Sequence, residues 1–138
     1  MVRGPPSTRR GNLAEDFGFT DKPENDNGSS LAPALMFNHQ PQLYHDVRPG
    51  LDVLIGGESL DSARAGLAAM QGKDPMRAKL ALAQTLEPLA PEYDMVLIDC
   101  PPGDEMLQTN AVAAAQAQPS AWRERRVSVR HENLPGSE

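Results

Sequence analysis

The chain has 138 residues and a formal net charge of −6, with 39% hydrophobic and only 4% aromatic residues. This length suits one modest domain and excludes two domains with separate cores. Because phosphate neutralisation requires clustered Lys and Arg, the acidic balance argues against a chain that is as a whole a nucleic-acid-binding module. One cysteine excludes an internal disulfide, and the sequence shows neither a signal peptide nor an apolar run of roughly 20 residues that would span a bilayer. A cytoplasmic protein is expected.

The two ends of the chain differ in charge from its middle. Residues 11–118 contain 16 acidic and 6 basic side chains, whereas residues 1–10 contribute three arginines and residues 119–138 four arginines against three glutamates. Residues 1–10 also contain two prolines and a glycine without apolar periodicity, so they are predicted to be disordered. Residues 116–138 form a charged tail that is likewise predicted to be disordered, and the residues around Val127 are only a weak strand signal.

Between these ends, the apolar pattern predicts alternating helices and strands. A short strand is expected over residues 51–55, stopped by two glycines. The next two helices are amphipathic and lie in series, separated by a break at residues 72–75. Helices are predicted over 12–18, 31–37 with Ser30 as a cap, 58–70 and 76–89.

The strongest strand signal is the apolar run Met95–Ile98, which is typical of parallel strands buried on both faces. It ends at Asp99. The carboxyl edge of a parallel sheet would place this carboxylate where it can hold Mg²⁺, but an aspartate here can equally cap the following turn or helix. A stiff turn follows at residues 100–103, and a helix is predicted from Asp104 onward.

Residues 93–102 (YDMVLIDCPP) closely resemble the Walker B region of the ParA/MinD partitioning ATPases. In that family, a tyrosine-aspartate pair precedes the strand, and a small residue and two prolines follow the aspartate. Three other segments are similar to the family in the family's order, so the resemblance covers about residues 11–115. They are 11–18 (GNLAEDFG), 47–57 (VRPGLDVLIGG) and 107–115 (LQTNAVAAA).

The resemblance implies a partial P-loop NTPase-like α/β fold, with a mainly parallel sheet flanked by helices, occupying residues 11–115. It implies a chromosome or plasmid partitioning ATPase that uses ATP and Mg²⁺. By position, Asp99 would help to hold Mg²⁺ through water. The loop that responds to the γ-phosphate would consist of Cys100, Pro101, Pro102 and Gly103.

Partners are implied by the same resemblance. The family's ATP-bound dimers bind DNA and are stimulated by a partner on a centromere-like site. The expected partners of this chain are a full-length ParA-type ATPase or such a centromere-binding protein, with DNA contacted at most indirectly and no membrane.

The sequence departs from the family at the phosphate-binding loop. That loop needs a glycine-rich turn, a lysine and a Ser or Thr, and the 138 residues contain no such motif. Where the family has aspartates ahead of Gly11, this chain has Arg9 and Arg10. We therefore expect a truncated member with impaired ATP hydrolysis, such as a gene remnant or a frame-shifted reading frame, and predict no catalytic residue.

Two alternatives remain open. The first is a non-catalytic module that docks on a full-length ParA-type ATPase through the helices at 58–70 and 76–89. The second is a chain that does not fold stably, because a parallel sheet without its first strand leaves neighbouring strands unpaired.

Several titratable residues have a structural and a functional interpretation. Asp104 and Glu105 suit the start of a helix but would repel a phosphate, and helix capping is preferred. Cys100 has no base close in sequence and is expected to be a buried structural thiol. His39, His45 and His131 have no second ligand at metal-site spacing and are expected at the surface.

Overall fold

The computed structural model describes residues 17–18, 21–100, 103–116 and 126–131. The predicted disordered segment 1–10 and most of the predicted helix 12–18 lie outside these ranges. A mixed α/β fold is confirmed. In chain order the elements are α1 (Leu31–Phe37), β1 (Tyr44–Arg48), β2 (Leu51–Val53), α2 (Leu60–Gln71), α3 (Pro75–Leu86), a short 3-10 helix (Ala90–Glu92), β3 (Met95–Cys100), α4 (Glu105–Gln116) and β4 (Arg126–His131).

The first two strands form an antiparallel hairpin, which corrects the expectation of a mainly parallel sheet. Tyr44 lies opposite Val53, and Arg48 lies opposite Leu51. Only Pro49-Gly50 connect the two strands, and Gly50 has a φ of +72°, which favours glycine in a tight turn. A connection of two residues permits only an antiparallel pair, since parallel neighbours need a long crossover. The second strand also ends at Val53, before the predicted residue 55.

The other two strands are parallel. β3 pairs with β4 from Met95 opposite Arg126 to Cys100 opposite His131. The helix α4 provides the crossover between them, as parallel pairs require. A regular strand therefore lies inside the segment that was predicted to be a disordered tail. The described strands form two separate pairs, one antiparallel and one parallel.

Capping residues mark the ends of α1 and the start of α3. The carboxylate of Asp74 accepts a hydrogen bond from the backbone N–H of Arg77 at 3.0 Å, and Pro75 occupies the first helical position of α3. Asn38 ends α1 in the left-handed conformation. Ser30 occupies the predicted N-cap position of α1, but its side chain makes no capping hydrogen bond: its hydroxyl instead accepts a hydrogen bond from the backbone N–H of Gln42 at 2.9 Å.

The core is built from small and aliphatic side chains, in two clusters. In the first, α1 and α2 meet α3 through buried residues that include Leu35, Leu67 and Ala81. In the second, Leu86 and Ala114 pack against the half-buried side chains of β3. None of the described helices is long and apolar enough to cross a membrane.

The strand β3 is covered on one face only by the described residues. Val96 and Ile98 are half-buried against the second cluster, whereas Met95 and Leu97 are 59% and 52% exposed. The expectation of burial on both faces is therefore wrong for the residues that the structure describes. Successive side chains of a strand point to opposite faces, and the described helices pack against one face of β3. The exposure of its side chains therefore alternates along the strand.

Asn110 makes three hydrogen bonds, two of which fasten α4 to α3. Its Oδ1 accepts from the backbone N–H of Leu82 at 3.1 Å, and its Nδ2 donates to the carbonyls of Ala78 at 3.0 Å and Met106 at 3.1 Å. The side chain is almost fully buried, with 1% exposure. Because a buried amide is costly unless it is hydrogen-bonded, this residue fixes the register of the two helices.

Replacing Asn110 should therefore destabilise the fold. We expect Asn110→Ala to lower the free energy of unfolding by about 1–3 kcal/mol, because backbone groups lose their partners. Asn110→Asp should cost more, since it turns a charged acceptor toward two carbonyls. Urea unfolding followed by circular dichroism measures both.

The exposed neighbour Thr109 provides the control. Thr109→Ala should change the free energy of unfolding by no more than about 0.5 kcal/mol. Equal stabilities for the Asn110 and Thr109 variants would show that the amide does not fasten the helices.

Candidate functional site

The structure places Asp99 near the carboxyl end of β3, where the chain turns toward α4. The strand continues one residue beyond the predicted end, to Cys100. The Oδ1 atom of Asp99 is buried. The predicted γ-phosphate loop is described only at Cys100 and Gly103, because Pro101 and Pro102 lie outside the described ranges. Gly103 is exposed and has a φ of +83°, so it forms the turn that leads into α4.

Cys100 is a buried thiol, as predicted from the sequence. It is 4% exposed. Burial, followed by the negative charges of Asp99 and Asp104, raises its pKa from 9.0 to about 11. A thiol in this environment stays protonated at neutral pH, so Cys100 is a poor nucleophile and a poor metal ligand.

Asp104 caps α4, which confirms the prediction of helix capping. Its Oδ1 accepts a hydrogen bond from the backbone N–H of Leu107 at 3.1 Å, and the residue is 8% exposed. Its second oxygen, Oδ2, lies 3.3 Å from Nη1 of Arg64 on α2. The other terminal nitrogen of Arg64 bonds to Asp61. Arg64 thus joins α2 to the turn after β3.

Sequence reasoning missed the contribution of Arg64. Its spacing from Asp61, three residues along one helix, is a local signal that could have suggested the first ion pair. The pair with Asp104 joins residues 40 positions apart and has no local signal. Of the predicted site residues, Asp99, Cys100 and Gly103 nevertheless line one cavity together with Arg64.

That cavity has a volume of about 1460 Å³ and is lined by residues of β1, β2, β3 and the helices. Its described lining is strongly acidic. Arg64 is the one arginine or lysine among these lining residues, and His45 also contributes. The acidic side chains are Asp46, Asp52, Glu58, Asp61, Glu92, Asp94, Asp99 and Asp104.

A second polar cluster in the cavity is centred on Asp52. Its Oδ2 accepts from the hydroxyl of Tyr93 at 2.5 Å and lies 2.7 Å from Nδ1 of His45, while Oδ1 accepts from the backbone N–H of Asp46 at 2.9 Å. The hydrogen bond from Tyr93 is the main reason why the pKa of Asp52 is lowered. Burial, followed by the hydrogen bond to Asp52, raises the pKa of Tyr93 to about 12.

This cluster connects the β1–β2 hairpin to the residue pair that precedes β3. The sequence marked Tyr93 as part of a family-like pattern but gave no sign of its partner, 41 residues away. His45 is exposed, as expected for a surface histidine. Through these contacts, Asp52, His45 and Tyr93 hold the hairpin and the segment before β3 together. We therefore interpret the cluster as structural.

The carboxylates do not make a self-sufficient Mg²⁺ site. Mg²⁺ in proteins is usually held by one or two carboxylates, several waters and the phosphates of a substrate. Within the ranges that the structure describes, no group of three or more His, Cys, Asp or Glu side chains is arranged to hold a metal ion. Asp99 offers one carboxylate, and Asp104 is already bound to Arg64 and the start of α4. The phosphate oxygens of a nucleotide would have to supply many of the remaining Mg²⁺ ligands.

Comparison with known proteins identifies the family. A family model described as an AAA domain matches residues 10–118. The chain belongs to this family. Its similarity to a ParA protein makes it a member of the ParA type, which confirms the resemblance noted in the sequence.

The ParA-type relative is the chromosome partitioning protein ParA of Myxococcus xanthus (strain DK1622). It is 53% identical to this chain over 36 residues, which are 26% of this chain and 13% of the relative. The matched segment thus spans a small part of that protein's length. No solved structure matches the chain.

The raised pKa of Cys100 in this ParA-type chain predicts how stability depends on pH. The native thiol binds its proton more tightly than the unfolded thiol, so its contribution is fully present below pH 9.0 and is lost as pH rises toward about 11. A shift of this size corresponds to a loss of up to about 2–3 kcal/mol. Urea unfolding between these pH values should show the decline.

A matched variant isolates the thiol. Cys100→Ala should lose part of the pH dependence, while Tyr44 and Tyr93, whose pKa values are also raised, contribute to the remainder. An identical decline in the variant and the parent chain would rule out the thiol as its source.

Proposed function

We propose that this chain acts in DNA partitioning as a ParA-type family member that neither binds Mg-ATP tightly nor hydrolyses it by itself. Family membership over residues 10–118 and the match to a chromosome partitioning protein support the biological process. The partners by this proposal are a full-length ParA-type ATPase or a centromere-binding protein. Impaired hydrolysis is supported by the electrostatics of the cavity.

The observation that carries the proposal is the engagement of Arg64. Arg64 is paired with both Asp61 and Asp104, while further carboxylates line the same cavity. A nucleotide approaching Asp99 would bring several negative charges toward this acidic lining. Like charges at short range in a partly buried cavity repel each other more strongly than in bulk water. The described residues thus disfavour a polyphosphate where the family resemblance places one.

The alternative proposal is a docking module that uses α2 and α3. Its specific support is Met76, which is 62% exposed at the start of α3. The apolar side chains that α2 exposes are small, namely Ala65, Ala68 and Ala69. Exposed apolar side chains on adjacent helices are compatible with a protein contact. Both proposals share the absence of hydrolysis; in the alternative, the chain acts only by docking on a full-length ParA-type ATPase through these two helices.

Isothermal titration of the full chain with Mg-ATP tests the proposal. We expect no saturable binding up to about 1 mM nucleotide. Asp99→Ala should likewise show no saturable binding, because by this proposal no nucleotide is held beside Asp99. Circular dichroism of both samples establishes that they are folded.

The contrary result is equally clear. Saturable Mg-ATP binding that Asp99→Ala abolishes would establish a phosphate site and overturn the proposal of a nucleotide-independent member. A titration with MgCl₂ alone separates metal binding from nucleotide binding.

A further inference from the structure

Asn27 is the one asparagine of the sequence that a glycine follows. Asparagine is a thermolabile residue, because the backbone nitrogen of the next residue can attack its side-chain carbonyl carbon. Glycine has no Cβ, so it leaves that nitrogen unhindered and lets the backbone rotate into the reactive conformation. Asn27 is also exposed, so water has access to it. The local sequence therefore marks Asn27-Gly28 as a site where the side-chain amide can be lost.

Asn27 and Gly28 form the centre of a tight turn. Their φ angles are +51° and +81°, and the backbone N–H of Ser29 donates to the carbonyl of Asp26 at 3.0 Å. Two positive φ angles between hydrogen-bonded ends are features of a type I′ turn, in which ψ at the first central residue is about +30°. This value places the Cβ of an L-residue nearly opposite the next backbone nitrogen across the Cα–C bond. The turn thus keeps Cγ of Asn27 away from the nitrogen of Gly28.

The nitrogen of Gly28 is also held by a hydrogen bond. Its N–H donates to Oδ1 of Asp26 at 3.0 Å, and Gly28 is buried. The other oxygen of that carboxylate, Oδ2, accepts from the backbone N–H of Ser30 at 2.9 Å. The nitrogen has to give up its hydrogen bond before it can lose its proton and attack a side chain. The carboxylate of Asp26 therefore adds to the protection that the turn conformation provides.

The backbone that leads into α2 holds this turn in place. The carbonyl of Asn27 accepts a hydrogen bond from the backbone N–H of Ser59 at 3.0 Å. Gly57 lies so close that a Cβ built on it would be 2.7 Å from both the carbonyl carbon and the carbonyl oxygen of Asn27. Rotation of the Asn27 backbone into the reactive conformation would break these contacts. The turn therefore has to separate from Gly57 before it can react.

We propose that Asn27-Gly28 is a site of spontaneous deamidation, and that folding protects it until the turn separates from Gly57. In the reaction, the nitrogen of Gly28 forms a bond to Cγ of Asn27, the bond from Cγ to Nδ2 breaks, and the proton of the Gly28 nitrogen leaves with the ammonia. Water then opens the resulting cyclic imide. Cleavage between the nitrogen and Cγ gives aspartate, and cleavage between the nitrogen and the backbone carbonyl carbon gives isoaspartate.

Isoaspartate at position 27 would not fit the present contacts. It adds one carbon to the backbone and leaves the original carbonyl carbon as a free carboxylate. The turn has no room for this change, because Gly57 already lies at the closest approach that a glycine allows. A chain that has reacted would therefore not close the turn again on the start of α2. The inference goes beyond the proposed role in partitioning and does not depend on it.

Comparison of the folded and the unfolded chain tests the protection. The full chain is kept at mildly alkaline pH for several days, once in buffer and once in concentrated guanidinium chloride. Mass spectrometry of the peptide that contains Asn27 measures deamidation, with fragmentation that distinguishes isoaspartate from aspartate. We expect Asn27 to react in denaturant and to react at least about tenfold more slowly in the folded chain, because reaction requires local opening. Equal rates, or no reaction in denaturant, would overturn the proposal.

Asn38 is the internal control for the sequence. It is exposed and has a φ of +57° and a ψ of +35°, but His39 follows it. In denaturant it should react more slowly than Asn27, because the side chain of His39 hinders the attacking nitrogen. Equal rates at the two asparagines would contradict the assignment of the site to the asparagine-glycine pair.

Gly57→Ala tests the contact that holds the turn closed. The new Cβ would meet the backbone of Asn27, so we expect the turn to be displaced and Asn27 to react about tenfold faster than in the folded parent chain. Gly72→Ala is the matched control, since the nearest atom to its Cβ lies at 3.6 Å and its φ is −68°. Its rate should equal that of the parent.

Circular dichroism establishes that both glycine variants are folded. Where Gly57→Ala does not fold, Asp26→Ala replaces it, because it releases the N–H of Gly28 and should also accelerate the reaction. An unchanged rate in the folded variant, or the same acceleration in Gly72→Ala, would show that the contacts of the turn do not protect Asn27.

Discussion

The hydrogen bonds of Asn110 determine how the rest of the described structure is arranged. They fix α4 against α3, and α4 follows directly from the turn after β3. The start of α4 in turn places Asp104 within reach of Arg64 on α2. One buried amide thus holds the helical layer in the register that brings Asp99, Asp104 and Arg64 to the same cavity. The asparagine that the sequence marks as a family feature has, in this structure, a role in packing.

The carboxylates around this cavity have several structural functions at once. Asp104 caps a helix and binds an arginine on another helix, while its charge helps to keep the Cys100 thiol protonated. Asp52 holds the hairpin to the segment before β3. Asp52, Asp61 and Asp104 are each stabilised by donors from the chain itself. The one arginine or lysine in the described lining, Arg64, is thus already paired, which disfavours a nucleotide at this cavity.

Local patterns in the sequence predicted local features well. The helix Leu31–Phe37, the strand beginning at Met95 and the cap at Asp104 depend on neighbouring residues, and each was found at or within a few residues of its predicted place. The hairpin was missed because only one strand was expected here, over residues 51–55, whereas Pro49-Gly50 forms the turn between two strands.

Other features depend on contacts between distant residues. The strand β4 forms from a short run among arginines because β3 offers it a parallel partner, which local propensity does not report. The pairs Arg64–Asp104 and Tyr93–Asp52 are likewise distant in sequence. Asp99 was identified as a candidate site residue from its place at the end of an apolar strand and from the resemblance, whereas its acidic surroundings became visible only in the fold.

Amide hydrogen exchange of the full chain with and without Mg-ATP tests the central claim most directly, because it reports where a ligand acts as well as whether it binds. The account predicts unchanged exchange over Met95–Cys100 and Glu105–Gln116 at every nucleotide concentration. Slower exchange confined to the end of β3 and the start of α4 would contradict it, since that pattern would show a nucleotide held at Asp99.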